Sequence, residues 1–143
     1  MSTVAKLQTN STLTIYNKYV DGTTRAEKYQ RTVVGSVMWQ GAKASSAASG
    51  GLLASNTATV FIPFALGAAY KEPQAWLALS SKTGYWTLRE GDILVKGTVT
   101  DTISDSFTMT ALKAKYNNVV MVTSVDIMDM GSAHMQHWMV GAK

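Results

Sequence analysis

Two histidines three residues apart, in His134-Met135-Gln136-His137, with Asp126 and Asp129 a few positions upstream, are this chain's nearest approach to a metal site. Ligands must converge on one ion. On a strand, residues three apart point to opposite faces, so these imidazoles diverge; only helical spacing would bring them together. Gly131 and the run Trp138-Met139-Val140 favour a strand, and no metal ligation is expected. Glu72, Glu90 and Asp92, near Trp76, Tyr85 and Trp86, supply the carboxylates and rings that glycoside hydrolysis uses. Gly91-Asp92, however, reads as turn chemistry, because glycine admits positive φ and aspartate bonds to nearby backbone amides. Ser, His and Asp occur without a nucleophile elbow. Gly50-Gly51 lacks the Lys and Ser/Thr of a phosphate loop. These residues imply no enzyme and no cofactor. They point to a protein that assembles or binds.

The elements that would position them are mostly strands. Thr12 to Tyr19 alternates and is rich in β-formers. Tyr29 to Trp39 predicts a second strand, with Gly35 marking a bulge or bend of the kind that curls a sheet. Gly41 to Asn56 is nearly all Gly, Ala and Ser and reads as a flexible loop, with a helix through Ala42–Ala48 the competing expectation. Thr57 to Phe64 predicts a strand closed by Pro63. Residues 65–89 read as an insert holding a short helix over Glu72–Leu79, with Pro73 in its first turn. Strands are expected over Asp92–Val99 and Thr102–Met109, and Thr110 is expected to cap a helix over Ala111–Tyr116. In Asn118–Met128 the set Val119, Met121, Thr123, Val125 and Ile127 looks buried. In the last strand Gln136, Trp138 and Val140 share a face. Six to eight short strands and one or two small helices predict a mainly β fold, a single-domain barrel or sandwich over 1–143.

At 143 residues and 46% hydrophobic the chain can bury a core, yet only 15% of its residues are charged. So little charge leaves neutral surface that an assembly would cover. Its net charge of +4 comes from cations spread evenly, with Lys113 and Lys115 the longest cluster, so direct nucleic-acid recognition is not expected. Without cysteine there are no disulfides or thiolate metal sites. Met1 to Asn10 has no signal-peptide core and no apolar run approaches a membrane span, so a soluble, non-exported protein is expected. Of the eight methionines, Met128 and Met130 sit at a strand end and are candidates for an adaptable interface.

Three blocks taken together resemble a family of uncharacterised structural proteins of tailed bacteriophages and prophages of Gram-positive bacteria. The first is Leu13-Thr14-Ile15-Tyr16-Asn17-Lys18-Tyr19 with Tyr29 to Val34 and Trp39-Gln40. The second is Val60-Phe61-Ile62-Pro63-Phe64. The third runs from Gly91-Asp92-Ile93-Leu94-Val95-Lys96-Gly97 through Tyr116 to Val119 and Thr123 to Asp126, to His137-Trp138-Met139-Val140-Gly141-Ala142-Lys143. Residues 65–86 are poorly matched. The layout is also similar to head-closure, or stopper, proteins, small β-barrels that form a ring beneath the portal and adaptor. The resemblance implies a homo-oligomeric ring in the neck of the virion, assembled in the host cytoplasm. Its partners would be adjacent connector, adaptor and tail proteins, with non-specific contact to packaged DNA and no membrane. Candidate channel or gating residues are then Lys43, Ser45, Ser46, Ser49, Gly50 and Gly51. Candidate assembly residues are Met128, Met130, His134, His137 and Trp138. The alternatives are a capsid decoration protein or a tail-completion or tail-tube subunit, and, outside phage, a carbohydrate-binding module using Trp76, Tyr85 and Trp86.

Overall fold

The computed structural model describes residues 11–48, 51–104, 106–116, 118–132 and 135–143. Six strands follow in chain order: β1 (Ser11–Val20), β2 (Glu27–Ala48), β3 (Gly51–Pro63), β4 (Ile93–Lys96), β5 (Val119–Met128) and β6 (His137–Ala142). All pairings are antiparallel, and they close into a barrel in the order β1-β2-β3-β6-β5-β4. Alternation along each strand sends Leu13, Ile15, Val60, Ile62, Trp138, Val140 and Ala142 inward, where they are buried.

The bulge expected at Gly35 is present, one residue further on. Between the pairs Ser11↔Val37 and Leu13↔Val34, β2 carries one residue more than β1, and Ser36 has φ 60. An exposed serine with left-handed backbone costs about 1 kcal/mol that glycine avoids. Ser36→Gly is therefore expected to raise stability by up to about 1 kcal/mol, read as a higher urea midpoint at unchanged slope. A lower midpoint would refute the assignment.

The segment 41–56, expected as a flexible loop, continues the β2–β3 ladder instead. Pairs run from Gly41↔Ala58 out to Ala48↔Gly51. Ala, Ser and Gly are weak strand formers. The register, however, is already set by the buried halves of β2 and β3, and the ladder extends along it. Because β6 joins β3 only over Ala58–Pro63, the outer part is, among the described residues, a two-stranded arm beyond the barrel.

Residues 65–89 are not a peripheral insert. A 3-10 helix (Phe64–Ala69) and helix α1 (Pro73–Leu77) fold back so that Trp76, Trp86 and Leu88 are buried. Phe64, Leu66, Ala69 and Tyr70 pack on the barrel core. Pro73 stands in the first turn of α1, as expected.

Thr102–Met109 is not a strand. Ser104 and Phe107 share one isolated bridge, because β1 and β5 already occupy both edges of β4. Helix α2 (Met109–Lys115) starts two residues earlier than expected. Its cap is Thr108, whose Oγ1 accepts from the Ala111 amide at 3.3 Å. Leu112 then packs with Tyr16, Ile93, Val95 and Val99, so α2 covers the outer face of β1 and β4.

The buried face of β5 also differs. Val122 is buried while Met121 and Ile127 are 44% and 52% exposed. A register shift between Val122 and Ser124 against β6 inverts the phase midway, so Val120 and Val125 both pack on the core.

Candidate functional site

The expected channel residues fall on the arm. Lys43, Ser45 and Ser46 lie on β2, paired with Asn56, Ala54 and Leu53, and Gly51 opens β3. Ser49 and Gly50 lie outside the described residues. Among the described residues, neither edge of the arm pairs with another strand over Ala42–Ala48 or Gly51–Thr57.

The expected assembly residues separate. Met128 and His137 are brought opposite each other at the base of β5 and β6, and the His137 ring lies 5.3 Å from that of Phe61. Met130 follows β5 and is 85% exposed. His134 lies outside the described residues. Trp138 is not at a surface. It sits in the core against Phe64, Tyr70 and Trp86 at ring separations of 4.6, 4.5 and 5.5 Å, because its strand parity points it inward.

Sequence reading missed a polar lock at the barrel's edge. The Asp92 side chain is fully buried. One carboxylate oxygen accepts from Asn17 Nδ2 at 2.7 Å and the other from the Lys18 amide at 3.0 Å, with Arg89 Nε 3.7 Å away. Asn17 also donates to the Thr87 carbonyl and accepts from the Thr87 amide. The Arg89 guanidinium donates to the Lys18 carbonyl. Burial pushes the Asp92 carboxyl above its ordinary range against these donors. Gly91, at φ 94, makes the turn, as its position before Asp92 suggested. Trp76 and Trp86 are buried, so these carboxylates and rings form no open sugar cleft. The lock ties β1 to the segment entering β4.

A second polar group joins Asp101, Tyr116 and Lys115. The Tyr116 hydroxyl donates to Asp101 at 2.5 Å and Lys115 Nζ lies 3.0 Å away, which holds the Asp101 carboxyl below its usual range. Tyr16 donates to the Asp101 carbonyl, and burial pushes its phenol up to about 12. These are structural ties between α2 and the barrel.

An open groove of about 780 Å³ runs between the β1–β2 hairpin and the segment before α2, lined in part by Tyr19, Lys28, Tyr29, Ile103 and Met109. Its lysine is paired with Asp21 at 2.9 Å, Glu27 with Lys18 at 3.2 Å, and the Ser104 hydroxyl is hydrogen-bonded to that of Ser106 at 3.0 Å. Among the described residues no three His, Asp or Glu side chains gather to hold a metal, and no helix is long and apolar enough to cross a membrane.

A family model, described as a family of unknown function (DUF6751), matches residues 8–143. The chain belongs to DUF6751. No curated protein and no solved structure matches it. The DUF6751 match spans all six strands, α1 and α2, so the barrel, the arm and the Asp92 lock all lie within it.

Proposed function

We propose that this chain is a structural virion protein of a tailed phage, a subunit of the head–tail connector ring that retains packaged DNA and docks the tail. The arm carries this reading. A closed barrel has no strand edge to offer a neighbour, whereas the ribbon outside it presents two that no other described strand occupies. An isolated ribbon is marginal in water and gains stability from a partner. Such a device suits assembly, and the resemblance to phage structural proteins supplies the setting. Neighbouring connector and tail proteins would be its partners, with packaged DNA inside the ring.

Inactivating the gene in its phage and imaging the particles tests the role. Separate tails beside tailless heads that have lost their DNA are expected. Intact infectious particles would overturn it. The arm can be tested by itself, since Lys43 and Asn56 are paired. Replacing 44–55 with Asn-Gly closes the hairpin there with a two-residue turn. The shortened protein is expected to melt as the intact one does, while phage titre falls at least about a hundred-fold, roughly what losing 3 kcal/mol of assembly free energy would give. An unchanged titre would remove the arm from the mechanism.

A further inference from the structure

The sequence spreads its lysines along the whole chain, and the fold sorts them by end. At one end of the barrel β1 and β5 begin, β4 and β6 stop, and β2 and β3 run on as the arm. Lys96 closes β4 there, its amide bonded to the Asn118 carbonyl and the Gly97 amide to the Thr12 carbonyl. Lys143 follows β6 and exchanges backbone hydrogen bonds with Met121. Lys43 lies just inside the arm, two residues along β2 from Gly41. Lys96 and Lys143 are exposed, and among the described residues no acid pairs with either.

Of the nine acids in the chain, none of those described stands at this end. Asp21 follows β1, Glu27 opens β2, Glu90 and Asp92 precede β4, and Asp126 and Asp129 lie where β5 stops, all toward the opposite end. Glu72 precedes α1, whose Trp76 ring lies 5.8 Å from that of Tyr19, close to the same turn. Asp101 is engaged by Tyr116 and Lys115, and Asp105 lies outside the described residues. At the far end cations answer the acids: Lys18 pairs with Glu27, Lys28 with Asp21, and Arg89 lies beside Asp92. The net charge of +4 is therefore unevenly held. Among the described residues the arm end carries lysines alone.

We propose that the arm end of the barrel binds the phosphate backbone of duplex DNA without reading its sequence. Backbone contact needs cations and no groups aimed at base edges. This end offers lysines with no described acid beside them to repel the duplex. A terminal carboxylate on Lys143 would cancel one charge and leave the end positive. Three cations hold a duplex weakly. A symmetric ring presents the same end of every copy, so the contacts multiply with copy number. The proposal rests on the connector reading and assigns the surface of that ring that meets packaged DNA.

Fluorescence anisotropy of a random-sequence duplex titrated with purified protein at low salt tests it. Binding is expected, weakening as salt rises. Lys43→Gln, Lys96→Gln and Lys143→Gln combined should lower affinity at least about ten-fold and flatten the slope of log affinity against log salt by about 2–3, the loss of up to three phosphate contacts. Lys18→Gln, Lys28→Gln and Lys71→Gln combined remove as much charge from elsewhere and should leave affinity within about two-fold, since distant charges are screened. Both variants should melt as the wild type does. No binding by the wild type, or equal losses in the two variants, would overturn the proposal. Tighter binding to poly-glutamate than to DNA would overturn the choice of a nucleic acid over an acidic protein. In particles, a photo-crosslinking residue at position 96 should give adducts with DNA, and crosslinks only to proteins would overturn the assignment. If the protein is missing from particles altogether, the connector reading fails, and the duplex titration alone decides the arm end.

Discussion

Trp138→Ala is expected to cost about 3–5 kcal/mol. The indole lies between three aromatic rings, Phe64, Tyr70 and Trp86, with centroids 4.5 to 5.5 Å away. Each such pair adds about 0.5–1.5 kcal/mol beyond the area it buries. The surroundings cannot close over the space. The 3-10 helix already approaches so closely that a Cβ on Gly67 would stand 2.8 Å from the Trp138 ring. Domains of this size are held by about 5–15 kcal/mol, so the variant should be partly unfolded at 37 °C. Urea denaturation of dilute protein measures this. Wild-type stability with lost association would return Trp138 to the surface role expected of it from sequence.

Asp92→Asn comes second, at about 2–3 kcal/mol, although it only exchanges an oxygen for a nitrogen. Both carboxylate oxygens accept, from Asn17 Nδ2 and from the Lys18 amide, and an amide has one acceptor. A buried donor is left unpaired at about 1–3 kcal/mol. Asn17 cannot rotate to compensate, since its two polar atoms already hold the Thr87 amide and carbonyl. The pH dependence gives an independent check. Asp92 has its pKa raised by burial, so the folded protein binds its proton more tightly than the unfolded chain does. Its contribution to stability is complete below the unfolded carboxylate range and is lost as pH rises through the folded value. The Asn variant lacks that term. Its deficit relative to wild type should therefore be larger at pH 4 than at pH 7, and a deficit growing toward neutral pH would show that the carboxylate is stabilised by its donors more than it is penalised by burial. Asp21 and Asp101 act oppositely and in both proteins: pKa values lowered by Lys28 and by Tyr116 remove stability as pH falls.

Much of this fold was legible in the residues. β1 forms where its β-formers predict a strand, and Trp138 and Val140 share one face of the last strand as expected. Pro73 marked the start of α1, and Gly91 the turn before β4. The errors share a cause. Reading β5 as one unbroken alternation placed Ile127 and Met121 inside. The shift between Val122 and Ser124 depends on how β6 lies beside it, and a strand's own residues do not record its neighbour's register. The run Thr102–Met109 has strand formers but no free edge to pair with.

The candidate site divides in the same way. That the chain spreads its cations and keeps charge out of β3 and β6 is written in residue order, because charge and side-chain type are local properties. That Trp138 belongs to the core, that Asp92 is a lock spanning β1 and β4, and that 41–56 extends a ladder were decided by closure of the barrel. Closure sets which strands are neighbours, and pairing between residues tens of positions apart has no local signature.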